Sequence, residues 1–381
     1  RSRMTMAQAF VNGEVTTGPV KHKILAGLDM ANKEYLADWG QSHVLDSAHT
    51  PLNPVTPEVS APANGYPKFD RETPLAQRAT AAGGNIDQRY TSVYIQDELG
   101  FFEDRVRLTL AGRFTDLKQS NYGGKPQTAQ HFTPRAGLSV SLDKTSSVYT
   151  LYDQAFIPQT GILVNGGEVQ PITGNNMELG VKKEWDNGRW VTTASVYRIL
   201  KNNELIADPN SAPTSGLSIE LGQKVAQGIE FDLRGYITKN INLVANYAFT
   251  DAKVLKVAEG ITTLKEGDIV PGFAKHTANA WFTYRAQIGA LKGFGVSAGG
   301  TWLGGRATYW EPSPDPTKTL DDYYKVDAGL SWEGSKMYVN FNVFNLLDEY
   351  LYSGSYYQWL SAYYWQTEAP RNYRLTIGYK F

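Results

Sequence analysis

Residues 337–344 read Met-Tyr-Val-Asn-Phe-Asn-Val-Phe, and residues 373–381 read Tyr-Arg-Leu-Thr-Ile-Gly-Tyr-Lys-Phe. In the first run Met337, Val339, Phe341 and Val343 alternate with Tyr338, Asn340 and Asn342. In the second, Tyr373, Leu375, Ile377, Tyr379 and Phe381 alternate with Arg374, Thr376, Gly378 and Lys380. A period of two sends one set to each face of a β-strand. The polar set carries Arg and Lys, and the chain stops on an aromatic residue. A transmembrane β-barrel, with lipid on the apolar face and a wet lumen on the other, requires this pattern. A soluble sandwich, with one face buried and one exposed, is the competing reading.

The same unit recurs towards the N-terminus. Met4–Thr16 and His22–Tyr35 flank Thr17-Gly18-Pro19, and Thr91–Leu99 and Val106–Asp116 flank Phe101-Phe102-Glu103-Asp104. Phe132–Leu142 and Val148–Phe156 flank Asp143-Lys144-Thr145-Ser146; Met177–Trp185 and Trp190–Leu205 flank Asp186-Asn187-Gly188, a strong hairpin turn. Gly222–Ile237 pairs with Ile241–Val254, Lys275–Ala286 with Phe294–Tyr309, and Tyr324–Trp332 with Met337–Tyr352. The expectation is about fifteen strands, each long enough to cross a bilayer at a tilt. Their connections alternate between short turns and long loops, the longest at 39–84. A structureless loop of that length counts against a compact soluble domain but suits the outer face of a membrane barrel. Phe101, Phe102, Trp185, Trp190, Phe294 and Trp332 gather beside the short turns, as an interfacial girdle or as ordinary turn-flanking contacts.

Composition narrows the function. The 37 Lys and Arg against 38 Asp and Glu give a net charge of −1, which offers nucleic acid no basic surface. No run of about 18 apolar residues is present, so no membrane helix is expected. Mean hydropathy is only −0.38, but a β-barrel exposes just alternate residues to lipid. The chain has 23 Tyr and 9 Trp and no Cys, so thiolate and disulfide chemistry have no part. Residues 1–10 lack the apolar core and cleavage site of an export signal, as in a mature or truncated chain.

Several local patterns fall in a recognisable order. They are Tyr94-Ile95-Gln96-Asp97 with Asp104-Arg105 and Gly112-Arg113; Thr133-Pro134-Arg135-Ala136-Gly137; and Met177-Glu178-Leu179-Gly180-Val181-Lys182. Gln227-Gly228-Ile229-Glu230, Tyr247-Ala248-Phe249-Thr250-Asp251-Ala252, and Phe344-Asn345-Leu346-Leu347-Asp348-Glu349-Tyr350 with Pro370-Arg371 and Phe381 complete the series. Together, from Tyr94 to Phe381, they resemble the TonB-dependent outer-membrane receptors, in particular the ferrichrome-type siderophore branch. The resemblance implies an all-β antiparallel barrel of about 22 strands with a plugged lumen, in the bacterial outer membrane. Residues 1–381 would then be the C-terminal portion of that barrel, about fifteen strands. The N-terminal plug, the first strands and the segment that engages TonB would lie outside the chain. An odd strand count fits a portion, since single-chain bacterial barrels close with an even number. The implied partners are a ferric siderophore, the TonB complex and outer-membrane lipid, with the receptor a monomer. Iron would enter only as the chelate, with no cofactor and no protein metal site.

Receptors of this type catch bulky polar chelates in an extracellular vestibule, where aromatic side chains give rigid contact area and hydrogen bonds. The last long loop, Tyr356-Tyr357-Gln358-Trp359-Leu360-Ser361-Ala362-Tyr363-Tyr364-Trp365, is the richest candidate. The expected ligand contacts are Tyr357, Trp359, Tyr363 and Trp365, joined by Trp39, Tyr122, Tyr309 and Trp310 from other loops. An outer aromatic girdle with loop packing is the plainer alternative. Arg113, Arg135, Arg234 and Arg374, among other charges, fall on the polar face. They either hold a plug or solvate the lumen. No HExxH or phosphate-cradling motif occurs, so an enzyme is not expected. The alternatives to a siderophore receptor are a passive porin and a receptor for another nutrient on the same fold.

Overall fold

A computed structural model describes residues 1–38, 72–81, 83–120, 126–208, 210–211, 215–262, 264–307, 320–357 and 362–381. The strands are β1 (Ser2–Thr17), β2 (Val20–Leu36), β3 (Asn85–Phe101), β4 (Val106–Ser120), β5 (Gln127–Ser141), β6 (Ser146–Ile157) and β7 (Ile162–Leu163). They continue as β8 (Ile172–Trp185), β9 (Trp190–Asn202), β10 (Leu205–Ala207), β11 (Leu217–Glu220), β12 (Gly222–Thr238), β13 (Ile241–Val257) and β14 (Ala274–Arg285). The last are β15 (Phe294–Arg306), β16 (Tyr323–Glu333), β17 (Met337–Phe344), β18 (Tyr352–Tyr357), β19 (Ala362–Thr367) and β20 (Asn372–Tyr379). Among the described residues a short helix, α1 (Leu75–Ala81), falls within the segment read as a polar loop.

Among the described residues fifteen strands form one sheet in the order β1-β2-β3-β4-β5-β6-β8-β9-β12-β13-β14-β15-β16-β17-β20. Neighbours are consecutive along the chain except where small excursions intervene: β7, β10 and β11 make a separate three-stranded sheet, and β18 and β19 a two-stranded one. The expected fifteen strands are thus present. Several boundaries differ: the strand from Trp190 stops at Asn202 rather than Leu205, and the strand from Met337 stops at Phe344 rather than running to Tyr352. Asn345 and Asp348 take φ of 52° and 60° there, which an extended strand cannot include.

The chain divides into two compact units. The larger comprises Asn12–Leu25, Ile95–Gly112 and Thr133–Phe381. Its registers fix the faces. Leu179 pairs with Val196, which pairs with Ile229, which pairs with Phe249. Ala328 pairs with Val343, and Phe341 with Leu375. These side chains share a face, and Leu179, Val196, Ile229, Leu330, Leu375 and Ile377 are exposed on it. A soluble protein does not leave so continuous an apolar surface to water.

Aromatic residues border this face at both ends. Trp302 and Phe294 on β15 lie eight positions apart, as do Tyr324 and Trp332 on β16. His276 and Tyr284 on β14, and Tyr373 and Phe381 at the C-terminus, repeat the interval. The registers put Trp302 beside Tyr324, and Phe294 beside Trp332. Eight residues span about 26 Å of strand, or about 20 Å along the normal at a 40° tilt. That approximates the lipid-facing band of an outer-membrane barrel, flanked by two girdles. The girdle beside the short turns matches the expectation, and its counterpart near the long loops was the plainer alternative for the outer aromatics.

The opposite face is mostly polar. Asn246, Asn279 and Thr301 form a hydrogen-bonded row across β13, β14 and β15, at 2.9 and 2.7 Å. The Tyr197 and Thr250 hydroxyls lie 2.8 Å apart. At the short-turn end Glu333 accepts from both Arg285 and Lys380, tying β14 and the C-terminal residues to β16. Val244 and Trp281, directly paired, are apolar exceptions on this face. The short turns are locally built. Asp186, Asn187 and Gly188 all take positive φ, as their hairpin requires. In the β5–β6 turn the Thr145 and Ser146 side chains and the Thr145 amide donate to Asp143, holding its carboxyl below the usual range.

The smaller unit comprises Arg1–Val11, Ala26–Tyr94 and Arg113–Phe132. Arg113 makes a two-pronged ion pair with Asp29, both contacts at 2.9 Å, and also donates to Ser92 at 2.8 Å. Ser92 bonds Thr115 at 3.0 Å, and the Arg113 guanidinium sits 5.9 Å from the Tyr94 ring centroid. This cluster links β2, β3 and β4 across one face. The Arg113 and Asp29 side chains are 36% and 18% exposed, so screening leaves a coupling of about 1 kcal/mol. A double-mutant cycle of Arg113→Ala and Asp29→Ala, followed by denaturant unfolding, should return that coupling.

Candidate functional site

The stretch after Phe344 builds the site. Asn345 is fully buried, and its amide works at both ends. Its Nδ2 donates to the Glu349 carbonyl at 2.8 Å, and its Oδ1 accepts from the Glu349 amide at 3.0 Å. The Asn345 amide donates to Asp327 Oδ1 at 2.8 Å, and Leu346 donates to the Val326 carbonyl at 2.7 Å. Asp348 accepts from the Arg371 amide at 2.9 Å and pairs with the Arg371 guanidinium at 3.3 Å. These bonds turn the chain out of the large sheet at Phe344 and return it at Asn372. Asn tolerates the left-handed backbone, and its side chain closes the turn on itself.

On this corner stands the β18–β19 hairpin, with Tyr352 opposite Thr367 and Gly354 opposite Trp365. Trp365 lies across Gly354, where a Cβ would come 2.6 Å from the ring. Tyr350, Tyr352, Trp365 and Tyr363 form a continuous ring series. Consecutive centroids are 5.8, 5.5 and 6.2 Å apart, the middle pair edge-on and the last stacked. Tyr350 is 76% exposed and Trp365 44%, so the series offers a broad accessible surface.

Polar bonds fasten the hairpin to the large sheet. Glu368, just past β19, accepts from the Tyr323 hydroxyl at 2.9 Å and from Lys325 at 3.1 Å. Tyr323 and Lys325 share the polar face of β16, with Asp327 two positions on. Arg306 donates to the Tyr352 carbonyl at 2.6 Å and the Asp321 carbonyl at 3.1 Å, and its guanidinium lies 5.5 Å from the Tyr323 ring centroid. A cleft of about 350 Å³ opens beside these contacts, lined by Arg306, Asp322, Tyr323, Glu349, Tyr350 and Tyr352. It presents a cation, carboxylates and phenol rings together, the mixture that a polar, ring-bearing ligand matches. No cluster of metal-ligating side chains occurs among the described residues, and Asp321-Asp322 forms none.

Of the expected ligand contacts, Tyr363 and Trp365 are brought together in the ring series. Tyr357 lies on β18, paired with Ala362, but its side chain is outside the described set. Trp39, Tyr122, Tyr309, Trp310 and Trp359 lie outside the described residues. Among the polar-face arginines, Arg113 pairs with Asp29, and Arg135 lies 3.4 Å from Asp153. Arg374 places its guanidinium 5.1 Å from the Phe344 ring centroid. Arg234 is exposed and pairs in register with Val191 and Val244. Tyr350, Tyr352, Arg306 and Glu368 were not singled out from sequence. The two tyrosines had a signal, since Asp348-Glu349-Tyr350-Leu351-Tyr352 breaks the alternation of β17; Glu368 had none.

Comparison with known proteins settles the class. Residues 5–346 match the family described as TonB dependent receptor-like, beta-barrel. The chain belongs to that family. It is a family of receptors and transporters of the outer membrane rather than of enzymes. The chain is similar to the ferrichrome outer membrane transporter/phage receptor of Escherichia coli K12: 27% identical over 331 residues, covering 85% of this chain and 41% of that protein. It is also 27% identical over 383 residues to the ferrioxamine receptor of Yersinia enterocolitica, covering 97% of this chain and 50% of the relative. The crystal structure of BauA, the ferric preacinetobactin receptor of Acinetobacter baumannii, superposes with a TM-score of 0.74 at 20% identity. That match covers 100% of this chain and 54% of the other, and shows the shared fold. The chain spans about half the length of the curated relatives it matches.

Proposed function

We propose that this chain forms part of the wall and outer vestibule of a receptor that takes up ferric siderophores with energy supplied through TonB. The observation that carries the reading is the ring series Tyr350–Tyr352–Trp365–Tyr363, fastened through Glu368 to the polar face of β16. Rigid aromatic surface beside Arg306 and the acidic cleft residues suits a polar chelate with flat or ring-bearing faces. Support comes from the relatives, whose names specify ferrichrome and ferrioxamine. Hydroxamate chelates are accordingly the proposed cargo. In this reading iron enters as the chelate, a substrate, and the receptor uses no cofactor.

The remaining parts of the reading rest on the chain's coverage of its relatives. Residues 1–381 serve as a transmembrane barrel portion. The plug, the first strands and the TonB-engaging segment belong to the rest of a longer receptor, which works as a monomer. Tyr357, Trp359, Trp39, Tyr122, Tyr309 and Trp310 join the vestibule surface. Arg113, Arg135, Arg234 and Arg374 face the plug. Trp365→Ala in the full-length receptor should weaken binding of its ferric hydroxamate about tenfold, the loss typical of a central aromatic contact. Titration by intrinsic fluorescence, with uptake of the labelled chelate alongside, measures it. Parent affinity in Trp365→Ala together with Tyr363→Ala would remove the ring series from the site.

A further inference from the structure

The apolar face of the large sheet is not uniform across β8, β9 and β12. Ala194 on β9 pairs with Val181 on β8 and with Phe231 on β12. One step up the strands, Val196 pairs with Leu179 and Ile229. The small side chain of Ala194 leaves a trough between larger neighbours. Leu179, Val181, Ala194, Val196, Ile229 and Phe231 line it, with a volume of about 550 Å³. Its walls are almost wholly hydrocarbon, so in this membrane face it accepts an alkyl chain rather than water or a polar solute.

A charge stands at the outer end of the trough. Arg198 points to the same face, two positions beyond Val196, about 7 Å along the strand. It is exposed and makes no ion pair among the described residues. Its cross-strand neighbours are Met177 and Gln227, neither charged. The nearest charges on this face are Asp251 and Lys253 on β13, already paired with each other at 3.1 Å. Arg198 also lies eight positions from Trp190, which pairs with Trp185 beside the short turn. That is the interval separating the two aromatic girdles on β14, β15 and β16. Arg198 therefore sits at the outer girdle level, where a guanidinium reaches the headgroup layer.

We propose that this trough and Arg198 together form a seat for one phosphorylated lipid of the outer leaflet. An acyl chain lies over Ala194 between the β8 and β12 side chains, and Arg198 donates to the phosphate. An unpaired guanidinium is the donor best matched to a phosphate, and an apolar trough directly beneath it gives the chain a fixed place. The inference rests on the outer-membrane placement and is independent of the cargo.

The test uses the full-length receptor, stripped of lipid in detergent and titrated with phosphatidic acid, with bound lipid counted by native mass spectrometry. Arg198→Ala should bind about tenfold more weakly than the parent, the loss expected for one charge-assisted contact. Ala194→Phe, which fills the trough floor without touching Arg198, should weaken binding several-fold as well. Arg198→Lys should retain most of it. Diacylglycerol should bind parent and Arg198→Ala alike, and inorganic phosphate should not compete. Equal binding of phosphatidic acid by the parent and either weakened variant overturns the proposal, as does full competition by inorganic phosphate. Uptake is not part of the readout, so failure here is distinct from failure of the siderophore assignment.

Discussion

Arginine at Ala298 should destabilise the membrane-embedded receptor by about 2–4 kcal/mol, whereas arginine one position earlier, at Ser297, should leave stability close to the parent's. Ala298 stands midway between Phe294 and Trp302, on the face it shares with Phe282 and Ala328. It therefore lies at mid-membrane depth, where a guanidinium must leave water or pull water in. Ser297 projects to the polar face, between Thr283 and Gly329. Denaturant unfolding in phospholipid vesicles gives both values. The contrast between adjacent positions is the sharpest test of the two-faced sheet, because a sheet with the same surroundings on both faces gives them similar costs. Equal penalties at both would mean that Ala298 does not meet lipid.

The second large effect is expected at the corner. Asn345→Ala should cost about 2–4 kcal/mol, since both the Glu349 amide and its carbonyl lose a buried partner. Alanine also fits the left-handed backbone less well than asparagine. Asp327→Ala removes one bond, to the Asn345 amide, and should cost about 1–2 kcal/mol. Because this corner carries the β18–β19 hairpin, Asn345→Ala should also weaken chelate binding, although the Asn345 side chain bonds to the Glu349 backbone and not to a ring. Protein stability and ligand titration, measured on the same variant, would show the two losses together.

Much of this architecture was legible because strands write a simple code. Leu179, Val181 and Val196, or Phe341 and Leu375, announce their face by alternation alone. The count of fifteen followed from turn residues such as Asp186-Asn187-Gly188, whose positive φ values the fold requires. What escaped was irregular structure. Phe344 to Tyr352 stays rich in apolar and aromatic residues, so the strand was read on through the break in alternation at Asp348-Glu349. The break is made by long-range bonds from Asn345 and Leu346 to β16, which no local window contains. The hairpin β18–β19 was read as an aromatic loop because Tyr and Trp crowd both of its arms and hide the alternation. Trp365 and Tyr363 were singled out for their residue type. Glu368 and Arg306, which fasten that surface, belong to residue types found all along the chain, and only the fold brings them to Tyr323 and Tyr352.

The repeated interval of eight positions between bordering rings carries a consequence for the choice of host bilayer. It sets a hydrocarbon thickness near 20 Å, well short of the roughly 30 Å of an average bilayer. Placed among long-chain phospholipids, the protein must thin the surrounding lipid or lean further over, at a fraction of a kcal/mol per ångström of mismatch. Short-chain lipids remove that burden. Refolding yields should therefore climb as acyl length is reduced.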